Sequence, residues 1–179
     1  MTNIPDINNK DLSSMSVEEL VQFISPSSSY IQELKRRGVL RTKNIVGELG
    51  EYYAIQFYKK INDKIYVANK KLPNLTLAGE TTKNVDALSK EGKIYSIKCI
   101  SSTKGTTGSF WDPESINANK KSFDFLIIVI LDEKYQVDKM LEMTWDDFFK
   151  HKRYNRRMNN YNISVTNQII KKFTVISKK

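Results

Sequence analysis

The chain has 179 residues, 40% of them hydrophobic, which is enough for one domain with its own core. Twenty-nine Lys and Arg against twenty Asp and Glu give a formal net charge of +9, which favours a polyanionic partner, nucleic acid first. A single cysteine, Cys99, and a single histidine, His151, exclude an intramolecular disulfide and a Cys/His zinc site, and the longest apolar run, Phe125 to Leu131, is too short to cross a bilayer.

Residues 1–15 mix Asn, Asp, Ser and Pro without periodicity and read as a flexible arm. Ser16 then caps a helix over Val17 to Ile24, with Glu19 at the capping-box position. A second, basic helix carries Tyr30, Leu34 and Val39 at near-helical spacing and ends at Gly38. These pieces, 16–43, form a helical extension before a core over 44–145 and a basic C-terminal region over 146–179. From Asn44 to Tyr58, Leu49, Tyr53 and Phe57 fall four apart and predict a mostly buried helix that also carries Glu48 and Glu51. Lys64 to Ala68 predicts a short strand, and Leu72 to Glu80 a turn-rich stretch broken by Pro73 and Gly79.

Asn84 to Leu88, the turn Ser89 to Gly92, and the alternating Lys93 to Ile100 predict a hairpin. A polar loop over Thr103 to Gly108 and a short helix within Asp112 to Lys121 follow. Phe125 to Leu131 has the continuous β-branched character of a central strand covered on both faces. Gln136 to Met143 predicts the next strand, and Thr144 caps a helix through Phe149. His151 to Asn160 reads as a basic loop before the apolar pieces Ile163 to Val165 and Ile169 to Ile176.

The hairpin sets an acid, Asp86, against a lysine, Lys98, on its partner strand. Phosphodiester hydrolysis needs a divalent cation held by carboxylates where a phosphate can lie. Asp86 supplies one carboxylate. Lys98 stands two residues after Ser96, so the two share one face of the strand, where the ammonium can orient a water or steady developing negative charge.

Asp86 with Ser96-Ile97-Lys98, preceded by the helix Gly47-Glu48-Leu49-Gly50-Glu51-Tyr52-Tyr53-Ala54, resembles the PD-(D/E)XK nuclease superfamily. Glu33 to Asn44, leading into Val46-Gly47-Glu48, is similar to restriction-endonuclease-like proteins of bacteria, and the likeness extends through Thr106 to Trp111 as far as Leu131. The resemblance implies an α/β fold with a restriction-endonuclease-like core, a central mixed four- to five-stranded sheet flanked by helices. It implies a metal-dependent DNA endonuclease of restriction or phage defence, using magnesium with manganese as a substitute. Asp86, Glu51 and the Ile97 carbonyl would be its metal ligands, with Glu48 as the competing helix acid. One departure stands out: Ser96 occupies the position where the superfamily has an acid or Gln, so the site uses a helix glutamate or is dead.

The loop Ser101 to Gly108 offers Lys104, Thr106 and Thr107 for phosphate contacts. Arg36, Arg37, Arg41 and Lys43 form one cationic cluster, and Arg153, Arg156 and Arg157 another, both fitting DNA backbone contacts as well as plain solvated charge. One of Phe110 and Trp111 is expected in the core, Cys99 is expected to face away from Lys98, and His151 lacks the neighbours of a triad. DNA is the expected partner and a membrane is not. A homodimer matching a two-fold site and membership of a larger defence complex are both open, and the expected setting is the cytoplasm. The competing reading is a catalytically inactive nuclease-fold module that binds DNA or assembles with other proteins.

Overall fold

A computed structural model describes residues 29–59, 65–67, 75–78, 85–102 and 105–178. The expected N-terminal arm, the helix over Val17 to Ile24 and Lys104 lie outside the described residues. Contacts divide the chain into two units, Met1–Lys43 and Asn44–Lys179. In the first, α1 (residues 29–36) ends at Gly38, whose φ of 71° suits a glycine and whose N–H donates to the Lys35 carbonyl at 2.9 Å.

The second unit opens with α2 (Ile45–Lys59), capped by Asn44, whose Oδ1 accepts from Gly47 N–H at 3.1 Å. Gly50, Ala54 and Tyr58, four apart, are its buried stripe. A Cβ on Gly50 would stand 2.4 Å from Cys99 Cβ, so glycine is what lets this helix lie directly on the sheet.

The strands are β1 (Ile65–Val67), β2 (Thr76–Leu77), β3 (Ala87–Leu88), β4 (Ile94–Ile100), β5 (Gly105–Thr106), β6 (Phe125–Leu131), β7 (Val137–Thr144), β8 (Lys152–Asn155), β9 (Asn160–Val165) and β10 (Thr174–Lys178). The remaining helices are α3 (Pro113–Asn117), α4 (Trp145–His151) and α5 (Asn167–Phe173). Seven strands make a mixed sheet in the order β1-β10-β7-β6-β4-β3-β2, and β5-β9-β8 make a three-stranded one. Among the described strands of the large sheet, β4 and β6 alone run parallel, Lys98 opposite Ile128, so a crossover connection joins them.

Two cores fill the faces of this sheet. One joins α2 to Tyr95, Ile97, Ile127, Val129 and Leu131, and the other joins Ile100, Leu126, Ile128, Ile130 and Met143 to α4, α5 and β9. β6 is buried on both faces from Leu126 to Leu131, as its unbroken apolar run predicts. The sheet exceeds the four to five strands expected because β10 adds to β7 and β1 to β10.

Three stretches read as irregular hold strands. Thr76 and Leu77 pair with Leu88 and Ala87, Gly105 and Thr106 pair with Val165 and Ser164, and the basic stretch after His151 is a hairpin in which Arg153 faces Asn162 and Tyr154 faces Tyr161. Charge hid the last: Lys152 and Tyr154 alternate with Arg153 and Asn155, and the first two cover an aromatic floor. The Lys152 ammonium sits 3.3 Å from the Phe149 ring centre, and the Tyr154 ring 5.3 Å from that of Tyr161. Among the described residues, no helix is long and apolar enough to cross a membrane.

Candidate functional site

Ser89 fixes the turn between β3 and β4. Its Oγ accepts from Glu91 N–H and Lys93 N–H, each at 3.2 Å, and Gly92 supplies the left-handed turn residue at φ 75°. Asp86, just before β3, donates its N–H to the Tyr95 carbonyl at 2.9 Å, although the register partner of Tyr95 is Ala87. Two residues thus meet one, as in a bulge, and the Asp86 side chain turns onto β4. Asp86 Oδ2 accepts from Ile97 N–H at 2.6 Å and from Ser96 Oγ at 3.1 Å. The carboxylate satisfies an N–H on an edge of β4 that the short β3 leaves uncovered.

Ser96 and Lys98 lie on the pleat opposite Tyr95, Ile97 and Cys99. Ser96 is fully buried, and Lys98 is half-buried with its ammonium 5.2 Å from the centre of the Phe110 ring. Among the described residues, no carboxylate comes within ion-pair distance of that ammonium. A strap of chain at residues 107–110 covers Lys98, and β9 holds the strap. Thr107 N–H donates to the Ile163 carbonyl and Ile163 N–H to Thr107 Oγ1, both at 3.0 Å, and Phe110 exchanges backbone bonds with Tyr161 at 2.7 and 3.1 Å. Gly108 passes over the Lys98 stem, where an added Cβ would stand 3.9 Å from Cδ.

The geometry sorts the expected site residues. Asp86, Ser96, Ile97 and Lys98 come together. Thr107 is only 6% exposed and its hydroxyl is engaged by Ile163 and Gly108, so it acts as a joint of the strap. Thr106, Arg153, Arg156 and Arg157 are exposed. In the other unit, Arg36 and Arg37 both bond Glu33 at 2.7 Å, which holds that carboxyl below its usual range, and Arg41 and Lys43 are exposed. Phe110 is the core member of its pair and Trp111 is 53% exposed. His151 packs edge-on against Phe173.

Glu48 is buried and Glu51 half-buried on α2, which packs on the pleat opposite Ser96 and Lys98. Among the described residues, no three His, Cys, Asp or Glu side chains converge in a group suited to a metal. Magnesium, however, is commonly held by one or two carboxylates and several waters. Asp86 fits that need in part: among the described residues its Oδ1 accepts no hydrogen bond, and the Ile97 carbonyl points to the same strand edge as the N–H that Asp86 binds.

Three features carried no readable signal. Phe110, as the surface under the Lys98 ammonium, depends on a strand pairing 51 residues away. An open cleft of about 520 Å³ lies at the carboxyl ends of the parallel pair, lined by Ser101, Ser102, Leu131, Asp132, Glu133 and Lys134. Beneath the sheet, Tyr58 Oη donates to Glu142 at 2.7 Å, and burial raises both the Tyr58 phenol and the Glu142 carboxyl above their ordinary pKa values. No protein-family model matches the chain, and no curated protein matches it.

Proposed function

We propose that the protein is a metal-dependent DNA endonuclease with a restriction-endonuclease-like core, acting through Asp86 and Lys98 in restriction or phage defence. The observation that carries this reading is the half-buried Lys98 side chain, its ammonium without a carboxylate partner among the described residues, on the strand segment whose Ser96 and Ile97 bind Asp86. A cation held in place without a carboxylate can take an anion, and a phosphate entering beside Asp86 supplies one. The mixed sheet between helices is compatible with the same reading.

Asp86 Oδ1 and the Ile97 carbonyl would hold magnesium together with waters; Glu51, the helix acid that the resemblance adds, sits on α2 across the sheet from Lys98 and would have to reach the metal around the β4 edge. Magnesium, or manganese in its place, supplies Lewis acidity to the phosphodiester and to a water. Lys98 would orient that water and steady negative charge on the phosphoryl oxygens, while Phe110 and the strap keep its side chain in place. Ser96 contributes through its bond to Asp86.

Purified protein should cleave plasmid or phage DNA with magnesium or manganese and not with EDTA. Asp86→Ala and Lys98→Ala should each lower the rate by at least about a hundredfold with circular dichroism unchanged. Full activity in both variants would sink the proposal. A second reading, a silent DNA-binding module, is favoured by Ser96, whose hydroxyl donates to Asp86 where a second carboxylate would add charge. It predicts DNA binding indifferent to magnesium and no cutting with any metal.

A further inference from the structure

The charge of this chain is concentrated at one end. From Phe148 onward there are nine Lys and Arg and no Asp or Glu, whereas residues 1–147 carry twenty of each sign. The +9 net charge therefore belongs to the segment that holds α5, β10 and the β8–β9 hairpin. Five of the nine cations lie in or beside that hairpin: Lys150, Lys152, Arg153, Arg156 and Arg157.

The hairpin has two unlike faces. Tyr161, Ile163 and Val165 of β9 point into the core, with Lys152 and Tyr154 on the same side. The opposite face carries Arg153 beside Asn162 across the two strands, then Ser164 beside Thr106 of β5, which borders β9 on its other side. Arg153, Asn162, Ser164 and Thr106 are exposed or half-exposed, a row rich in guanidinium, amide and hydroxyl groups, while Asn160 at the turn end of the same face is buried and donates to Ser109 Oγ at 2.7 Å. The turn presents Arg156 and Arg157. It is held in shape by Tyr154 Oη donating to Asn159 Oδ1 at 2.7 Å and by Met158 N–H donating to Asn155 Oδ1 at 3.3 Å, with Asn159 left-handed at φ 47°.

We propose that the β8–β9 hairpin is a ribbon that reads duplex DNA in the major groove. Arg153 and Asn162 contact base edges while Arg156 and Arg157 hold flanking phosphates. The major groove of B-form DNA admits β-strands, and here the β8 edge of the three-stranded sheet with its turn would enter it; arginine matches the acceptor edge of guanine, and asparagine matches the donor and acceptor edge of adenine. The major groove of duplex RNA is too deep and narrow for the same approach. An acidic protein or an anionic membrane would be served by cations alone and gives no reason for the Arg–Asn and Ser–Thr cross-strand pairs. The ribbon is also coupled to the candidate catalytic residues, because β9 is the strand that holds the strap over Lys98. The inference rests on the nuclease reading only for its link to cleavage; the binding it describes stands by itself.

Binding of the full chain to fluorescent 24-bp duplexes, in EDTA so that cleavage plays no part, tests it. Duplexes enriched from a random pool by the wild type serve as the specific probe, with scrambled DNA, duplex RNA and phosphatidylserine vesicles as comparisons. Affinity should fall with salt. Arg156→Ala/Arg157→Ala should lower the slope of log Kobs against log salt by about 2, and Arg156→Lys/Arg157→Lys should restore it. Asn162→Ala should leave the slope unchanged and cut the preference for the enriched duplex by about tenfold. An unchanged slope in the double alanine variant, equal affinity for RNA, absence of any enriched sequence, or binding to vesicles and not to DNA would each overturn the ribbon. Loss of cleavage with this pattern retained would overturn only the nuclease reading.

Discussion

The Cys99 thiol lies against α2, directly beneath Gly50, and burial pushes its pKa up to about 12. At pH 8 it is therefore a thiol rather than a thiolate, and the thiolate is the reactive form. A disulfide reagent should modify the native protein at least about a hundredfold more slowly than the urea-unfolded chain. Equal rates would show that α2 does not cover the sulfur. On the same side of the sheet, burial raises the Glu142 carboxyl while the Tyr58 hydroxyl partly opposes the shift. A group whose folded pKa exceeds its unfolded pKa binds more protons when folded. Stability should therefore fall as pH rises from the ordinary carboxyl range through the raised value. Glu142→Gln keeps an acceptor for Tyr58 and removes the titration, so its urea midpoint should vary less between about pH 4.5 and 7 than that of the wild type. Identical pH profiles would rule out the buried acid as their source. The residue pattern announced the alternation that separates Cys99 from Lys98; it carried no sign that Glu142 would meet Tyr58 across 84 positions.

At the scale of elements, the joint between α2 and β4 rests on one glycine. Gly50→Ala places a Cβ 2.4 Å from Cys99 Cβ, and both atoms are tied to backbone, so the helix must lift from the sheet. Urea unfolding should show a loss of about 1–3 kcal/mol, the usual cost of overpacking a core. A neutral result would mean that the helix rides higher on the sheet. The elements with strong local signals were legible: β6 from its apolar run, β4 from its alternation, α4 from its Thr144 cap, whose hydroxyl accepts from Asp147 N–H at 3.2 Å. β2 and β8 were not. Two residues are too few for periodicity, and the cations of β8 mask a period of two that matters only because Phe149 and Tyr161 lie underneath.

For the whole molecule, charge is the property with the widest reach. The +9 is set by twenty-nine Lys and Arg against twenty Asp and Glu, groups whose ordinary pKa values lie well outside about pH 6 to 8.5, so it changes little over that range. Retention on a cation exchanger at fixed salt should stay nearly constant across it. A sharp loss above pH 7 would show that a single titrating group governs the basic surface. By itself, the sequence determined the mixed α/β character, the hairpin that carries Asp86 and Lys98, the central β6 and the excess of cations, because each follows from local spacing and composition. Only the tertiary structure decided the rest. It turned Asp86 onto Ser96 and Ile97, laid Phe110 under the Lys98 ammonium, put α2 on the pleat opposite Lys98 and made a two-faced hairpin of a basic stretch. The physical reason is common to all four: each depends on which backbone edge or ring a side chain meets across the fold, and a linear pattern holds no record of that pairing.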